Sequence, residues 1–152
     1  MLVYRFAKKD VVKDLTGTGA KLFGGRWNHR GTAVIYTSET RALATVEFLV
    51  HVSLPDAPRG LMMATIEIPD SIVPEDIPRA SLPRGWRDYP PPREVADLGT
   101  RWAKAKKSLL LRVPSAVVEQ EYNILINPLH SEMGRVVLQR VEACEFDKRL
   151  VR

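Results

Sequence analysis

The chain has 152 residues, 45% of them apolar and 27% charged, with 23 Lys plus Arg against 18 Asp plus Glu, a formal net charge of +5. That length suits one domain over residues 1–152, and the composition excludes a disordered or low-complexity chain. With no apolar run of 18 residues, no basic-then-apolar leader after Met1 and Cys144 as the lone cysteine, a membrane span, a secretion signal and an internal disulfide are not expected, and the cytoplasm is the expected compartment.

Leu2–Phe6 alternates as a first strand. Gly17, Gly19, Gly24 and Gly25 follow, four glycines within nine residues, so the backbone there is tightly bent. Ala33–Thr37 reads as a short strand. Ser38 is expected to cap a helix from about Glu39 to His51, with Glu39 in the first turn where a negative charge suits the dipole. Apolar residues lie on most sides of that helix, so deep packing is expected. Leu54–Gly60 is a turn, and Leu61–Ile68 a strand with Thr65 and Glu67 on one face and Ala64, Ile66 and Ile68 on the other.

Pro69–Pro92 is rich in proline and reads as an ordered surface loop anchored by Trp86 and Tyr89. Gly99-Thr100 is expected to open a short helix through Lys107. Strands follow near Leu109–Val113 and Tyr122–Ile126, and a last long one over Arg135–Phe146. The pattern is α+β with no internal repeat.

The positive balance admits nucleic acid, an anionic small molecule or a plain solvated surface. The one basic cluster, Arg101 with Lys104, Lys106 and Lys107, lacks interleaved aromatics and zinc-finger spacing, which weighs against nucleic acid. Three residues invite chemistry. Glu47 has Leu43, Ala44 and Val50 as helical neighbours, with His51, and is either an edge carboxylate paired with His51 or an arginine, or a functional acid beside an apolar pocket. Arg26 follows Gly24-Gly25, where the backbone can approach a ligand and a guanidinium can fork onto phosphate; the alternative is a turn arginine bonding a carbonyl. The glycine spacing fits neither the Rossmann nor the Walker pattern.

Ser115 ends an apolar strand. Without a Gly-x-Ser-x-Gly turn it reads as a hydrogen-bonding hydroxyl rather than a nucleophile. His29, His51 and His130 have no metal-ligand spacing. Asn123 and the Asn127-Pro128-Leu129-His130 corner read as turn and strand-end hydrogen bonders. An arginine, a half-buried glutamate and a hydroxyl do not by themselves choose a reaction.

Taken in order, Tyr4-Arg5, Gly24-Gly25-Arg26-Trp27-Asn28, Val34-Ile35-Tyr36-Thr37-Ser38, Ala42-Leu43-Ala44-x-x-Glu47, Val113-Pro114-Ser115-Ala116-Val117 and Asn123-x-x-x-Asn127-Pro128-x-His130 resemble the RES-domain family. Its members are toxins of bacterial toxin–antitoxin pairs whose partner is an Xre-type antitoxin. The resemblance covers nearly the whole chain and is loose only over the proline-rich stretch. It implies a fold like that of ADP-ribosyltransferase toxins, a split β core with helices around a cleft for NAD. It implies NAD as substrate with no cofactor and no metal, and cleavage of the nicotinamide–ribose bond with water or phosphate as acceptor. Some relatives transfer ADP-ribose to a protein instead. The family arginine, glutamate and serine fall on Arg26, Glu47 and Ser115, and the strand tyrosine on Tyr36. The implied roles are a pyrophosphate clamp for Arg26 with a second phosphate contact from Arg5, and stabilisation of the cationic ribose by Glu47. Tyr36 would stack on nicotinamide, Ser115 would contact the ribose or orient Glu47, and Asn123 would join the NAD site. A homodimer within the toxin–antitoxin complex, and contact with nucleic acid only through the antitoxin, are implied as well.

Overall fold

The structure, a computed structural model, describes residues 1–56 and 58–150, so Ala57 of the expected turn lies outside the described residues. It is an α+β fold, as expected from the sequence. The strands are β1 (Leu2–Lys8), β2 (Ile35–Ser38), β3 (Leu61–Glu67), β4 (Glu75–Asp76), β5 (Leu110–Pro114), β6 (Tyr122–Ile126) and β7 (Val137–Ala143). They form one sheet in the order β4-β5-β6-β2-β1-β3-β7, antiparallel throughout except between β4 and β5. The helices are α1 (Thr18–Phe23), α2 (Arg41–Leu49) and α3 (Arg93–Ala105).

The sheet is nearly split at its centre. β1 pairs along its whole length with β3, and β2 along its whole length with β6, yet β1 and β2 share only the pair Tyr4–Ser38. Side chains alternate across the sheet, and β5 shows what this does. Leu110 joins Val3, Ile35, Ile66, Ile124 and Ile126 in one apolar cluster. Leu111 and Val113 join Trp27, Val95, Trp102 and Leu125 in another, which seats α3. A third, smaller cluster of Phe6, Ala44, Leu61 and Met63 seats α2 against β1 and β3.

Several elements differ from the sequence expectation, each for a local reason. Ser38 is not the cap of α2. Its backbone is the last rung of β2, paired with Asn123, and Thr40, in extended conformation, accepts from the Leu43 N–H at 3.0 Å instead. α1 was not expected, because Gly17 and Gly19 read as loop. α3 starts at Arg93 rather than at Gly99: its buried positions Val95, Gly99, Trp102 and Ala103 keep a helical period through the glycine. The proline-rich stretch contains β4, and β7 is shorter than the Arg135–Phe146 pattern. Trp86 anchors that stretch, 6.4 Å centroid to centroid from Trp27, whereas Tyr89 is 81% exposed. No helix among the described residues is long and apolar enough to cross a membrane.

Candidate functional site

Where β1 and β2 part, a cleft of about 700 Å³ opens, lined by both strands, the glycine-rich loop, α2 and the end of the proline-rich stretch. That is within the usual size of small-molecule sites. Its floor is built by Tyr36. Burial pushes the phenol well above its usual pKa, and the neutral hydroxyl donates to Asn28 Oδ1 at 2.7 Å while accepting from the Trp27 N–H at 3.0 Å. Asn28, almost wholly buried, donates in turn to the carbonyls of Ala20, His29 and Thr32. The loop comes so near the phenol that a Cβ on Gly25 would lie 2.6 Å from the Tyr36 hydroxyl. Only glycine fits there.

Arg26 stands on this loop and lines the cleft. Its Nη1 donates to the carbonyls of Trp86 at 2.5 Å and Asp88 at 3.0 Å, tying the proline-rich stretch to the loop. Burial lowers its pKa, and the charge of Glu47 is the largest effect opposing that. Arg26 bonds carbonyls, as the turn-arginine reading has it, and it also lines the cleft. Arg5 also lines the cleft and donates to the Asp14 carbonyl; burial lowers its pKa, with Asp14 opposing.

Glu47 projects from α2 into the cleft. Its partners are neither His51 nor an arginine but two neutral donors. Ser115 Oγ donates to Oε1 at 2.7 Å and Asn123 Nδ2 to the same oxygen at 2.6 Å. Ser115 is fully buried at the end of β5, and its Oγ also accepts from the Val117 and Val118 N–H groups at 3.1 and 2.9 Å. It does not line the cleft, and its hydroxyl is committed to holding the carboxylate and the turn. Asn123 does line the cleft, and its Oδ1 accepts from Ser38 Oγ at 2.6 Å. Both grips on Glu47 fall on Oε1, and no side chain among the described residues donates to Oε2. No buried side-chain oxygen or nitrogen among those residues lacks a partner, so Oε2 is open to solvent from the cleft.

The structure thus brings together Arg5, Arg26, Tyr36, Glu47 and Asn123 on one cleft, with Ser115 directly behind the carboxylate. Sequence reasoning missed Ser38, taken for a cap, and the cleft-lining Phe23 and Tyr89, whose rings are 76% and 81% exposed. Glu47 is the sole carboxylate among the described residues lining the cleft. No cluster of metal-ligand type occurs among the described residues. The arrangement can hold an anion with its arginines while setting one fixed negative charge against a developing positive one.

The fold, one seven-stranded sheet with three helices among the described residues, is shared with a solved toxin–antitoxin complex. It superposes on the crystal structure of the M. tuberculosis MbcT–MbcA toxin–antitoxin complex with a TM-score of 0.71 over 94% of this chain and 83% of that one, at 20% identity. The chain belongs to the RES-domain family, whose model matches residues 2–148. It is 38% identical over 141 residues to the Prs ADP-ribosylating toxin of Sphingobium sp. (strain YBL2), covering 91% of this chain and 88% of that protein. It is 37% identical over 151 residues to Toxin Res of Yersinia enterocolitica, covering 96% of this chain and 95% of that one.

Proposed function

We propose that the protein is a toxin enzyme that destroys NAD by breaking its nicotinamide–ribose bond and passing ADP-ribose to water or phosphate. The observation that carries this reading is Glu47: the one carboxylate on the cleft among the described residues, gripped through Oε1 and open at Oε2. The bond to nicotinamide joins ribose C1′ to a cationic leaving group. On rupture the bonding electron pair goes to the pyridinium nitrogen, so nicotinamide departs neutral and needs no general acid. The positive charge passes to the ribose as an oxocarbenium ion. Glu47 Oε2 stabilises that ion and holds a ribose hydroxyl; water then adds to C1′ and loses a proton to bulk solvent, or phosphate adds through an ionised oxygen. Arg26 clamps the pyrophosphate with Nε and Nη2, since Nη1 is committed to the Trp86 and Asp88 carbonyls. Arg5 adds a second phosphate contact, and the Tyr36 ring lies against nicotinamide. Ser115 and Asn123 hold Glu47, and Asn123 also borders the bound NAD.

The partner in this reading is a cognate antitoxin of Xre type, with two toxin copies in the complex and nucleic acid reached only through the antitoxin. The compartment is the cytoplasm, where NAD is consumed. Support comes from the names of the relatives and of the solved complex. A second reading, transfer of ADP-ribose to a protein, is favoured by the name of the Sphingobium relative. Such transfer calls for a second acid to activate the acceptor. The sequence candidates are poorly placed for it: Glu39 is bonded to Arg112 at 2.9 Å, Glu67 lies beside Gln139, and neither lines the cleft.

The deciding experiment is purified protein with NAD, with and without phosphate, followed by mass spectrometry. Free nicotinamide with ADP-ribose or its phosphorylated form is the expected result. NAD left intact overturns the reading, and label retained on protein from radiolabelled NAD selects the second one.

A further inference from the structure

Glu47 is a two-oxygen acceptor on a helix, and a carboxylate so held can rotate unless its donors are themselves fixed. Ser115 is fixed by two backbone N–H groups. Asn123 has no such anchor of its own, and its side chain is ambivalent: turned one way it offers Nδ2 to Glu47, turned the other it offers Oδ1 and repels it. The carboxylate, which can only accept, sets which end faces it, and Ser38 braces the amide in that orientation. Ser38 is the register partner of Asn123 across β2 and β6, so the two side chains stand on the same face of the sheet. Its buried hydroxyl donates to Oδ1 at 2.6 Å. A carboxylate only accepts, so the run of hydrogen bonds has one workable direction, from Ser38 through Asn123 to Glu47 Oε1.

We propose that Ser38 is a positioning residue of this site: by holding the Asn123 amide with Nδ2 toward Glu47, it keeps Oε1 occupied and Oε2 turned to the reacting ribose. The proposal rests on the NAD-cleaving reading and deepens it. Ser38 touches no reacting atom in this scheme and acts through Asn123.

The test compares wild type with Ser38→Ala, Ser38→Thr, Asn123→Ala and the double variant Ser38→Ala/Asn123→Ala. Ser38→Ala is expected to lower kcat for NAD cleavage about tenfold, the loss of one neutral hydrogen bond, with KM within about twofold. Ser38→Thr, which keeps the hydroxyl, should restore most of it. In the Asn123→Ala background the Ser38 change should cost almost nothing more, because the two act in series. A full additional loss in the double variant, or equal losses for Ser38→Ala and Ser38→Thr, overturns the proposal.

A second measurement is independent of turnover. The Asn123 side-chain NH2 protons, followed by NMR, should exchange slowly in wild type and at least about tenfold faster in Ser38→Ala. Unchanged exchange overturns the proposal even where kcat falls. A wild-type protein that leaves NAD intact refutes the reaction instead, while the exchange arm still decides whether Ser38 holds Asn123.

Discussion

Gly99 of α3 and Trp27 of the arginine loop meet so closely that a Cβ on Gly99 would stand 1.9 Å from the Trp27 carbonyl oxygen. The absence of a side chain lets the helix backbone lie directly on the loop that carries Arg26. The neighbouring Thr100 adds a hydrogen bond from the His29 N–H to its Oγ1 at 2.9 Å. Gly99→Ala is therefore expected to destabilise the fold by about 1–3 kcal/mol despite alanine's better helix propensity, the cost of overpacking. Urea denaturation checks the stability, and a raised KM for NAD would report the displaced loop. Unchanged stability would show that the loop yields without cost.

In the proposed reaction Arg26 joins two jobs, and its replacement should damage both. Arg26→Ala removes two hydrogen bonds to the proline-rich stretch together with the charge offered to the pyrophosphate. NAD affinity should fall on the order of 2 kcal/mol, roughly thirtyfold, read by calorimetry on a variant that does not turn over. Arg26→Lys should recover little, because an ammonium cannot reproduce the planar fork. Undiminished affinity in Arg26→Ala would mean the residue serves only the loop.

Glu47→Gln keeps the size and the acceptor oxygen but removes the charge. Turnover of NAD should fall by about 10²–10³, the scale of losing one aimed electrostatic stabiliser, while NAD affinity and the melting temperature change little. An active Glu47→Gln protein takes the carboxylate out of the mechanism.

Ser115→Ala separates a holding role from a nucleophilic one. The change removes one grip on Glu47 and leaves the Val117 and Val118 N–H groups without their acceptor at a fully buried site. A stability loss of about 1–3 kcal/mol is expected, with partial loss of turnover. A nucleophile would behave the other way, losing all turnover while the fold stayed as firm as wild type, and denaturation curves beside initial rates tell the two apart.

The strands and the α+β class were legible because β1 alternates, the end of β3 divides between two faces, and β5 and β6 are short runs rich in Leu, Ile and Val. Glu47 was legible because a carboxylate among Leu43, Ala44 and Val50 is costly unless the fold provides for it. Its partners were not, because a hydrogen bond between residues 68 or 76 positions apart leaves no local signature. Ser38 was misread for a related reason. A serine ahead of a helical pattern looks like a cap, and only the sheet register shows that its backbone belongs to β2 and its hydroxyl to Asn123. Gly99 misled in the opposite direction: a glycine reads as a boundary, and its purpose here is contact with a distant carbonyl.

The grip on Glu47 draws on β2, α2, the end of β5 and β6, four pieces made at different times during translation. A nascent chain that has not yet reached Ser115 holds the acid but neither of the two donors that fix it. In the proposed reaction the acid is therefore held in place only after β5 and β6 have emerged from the ribosome and paired beside β2.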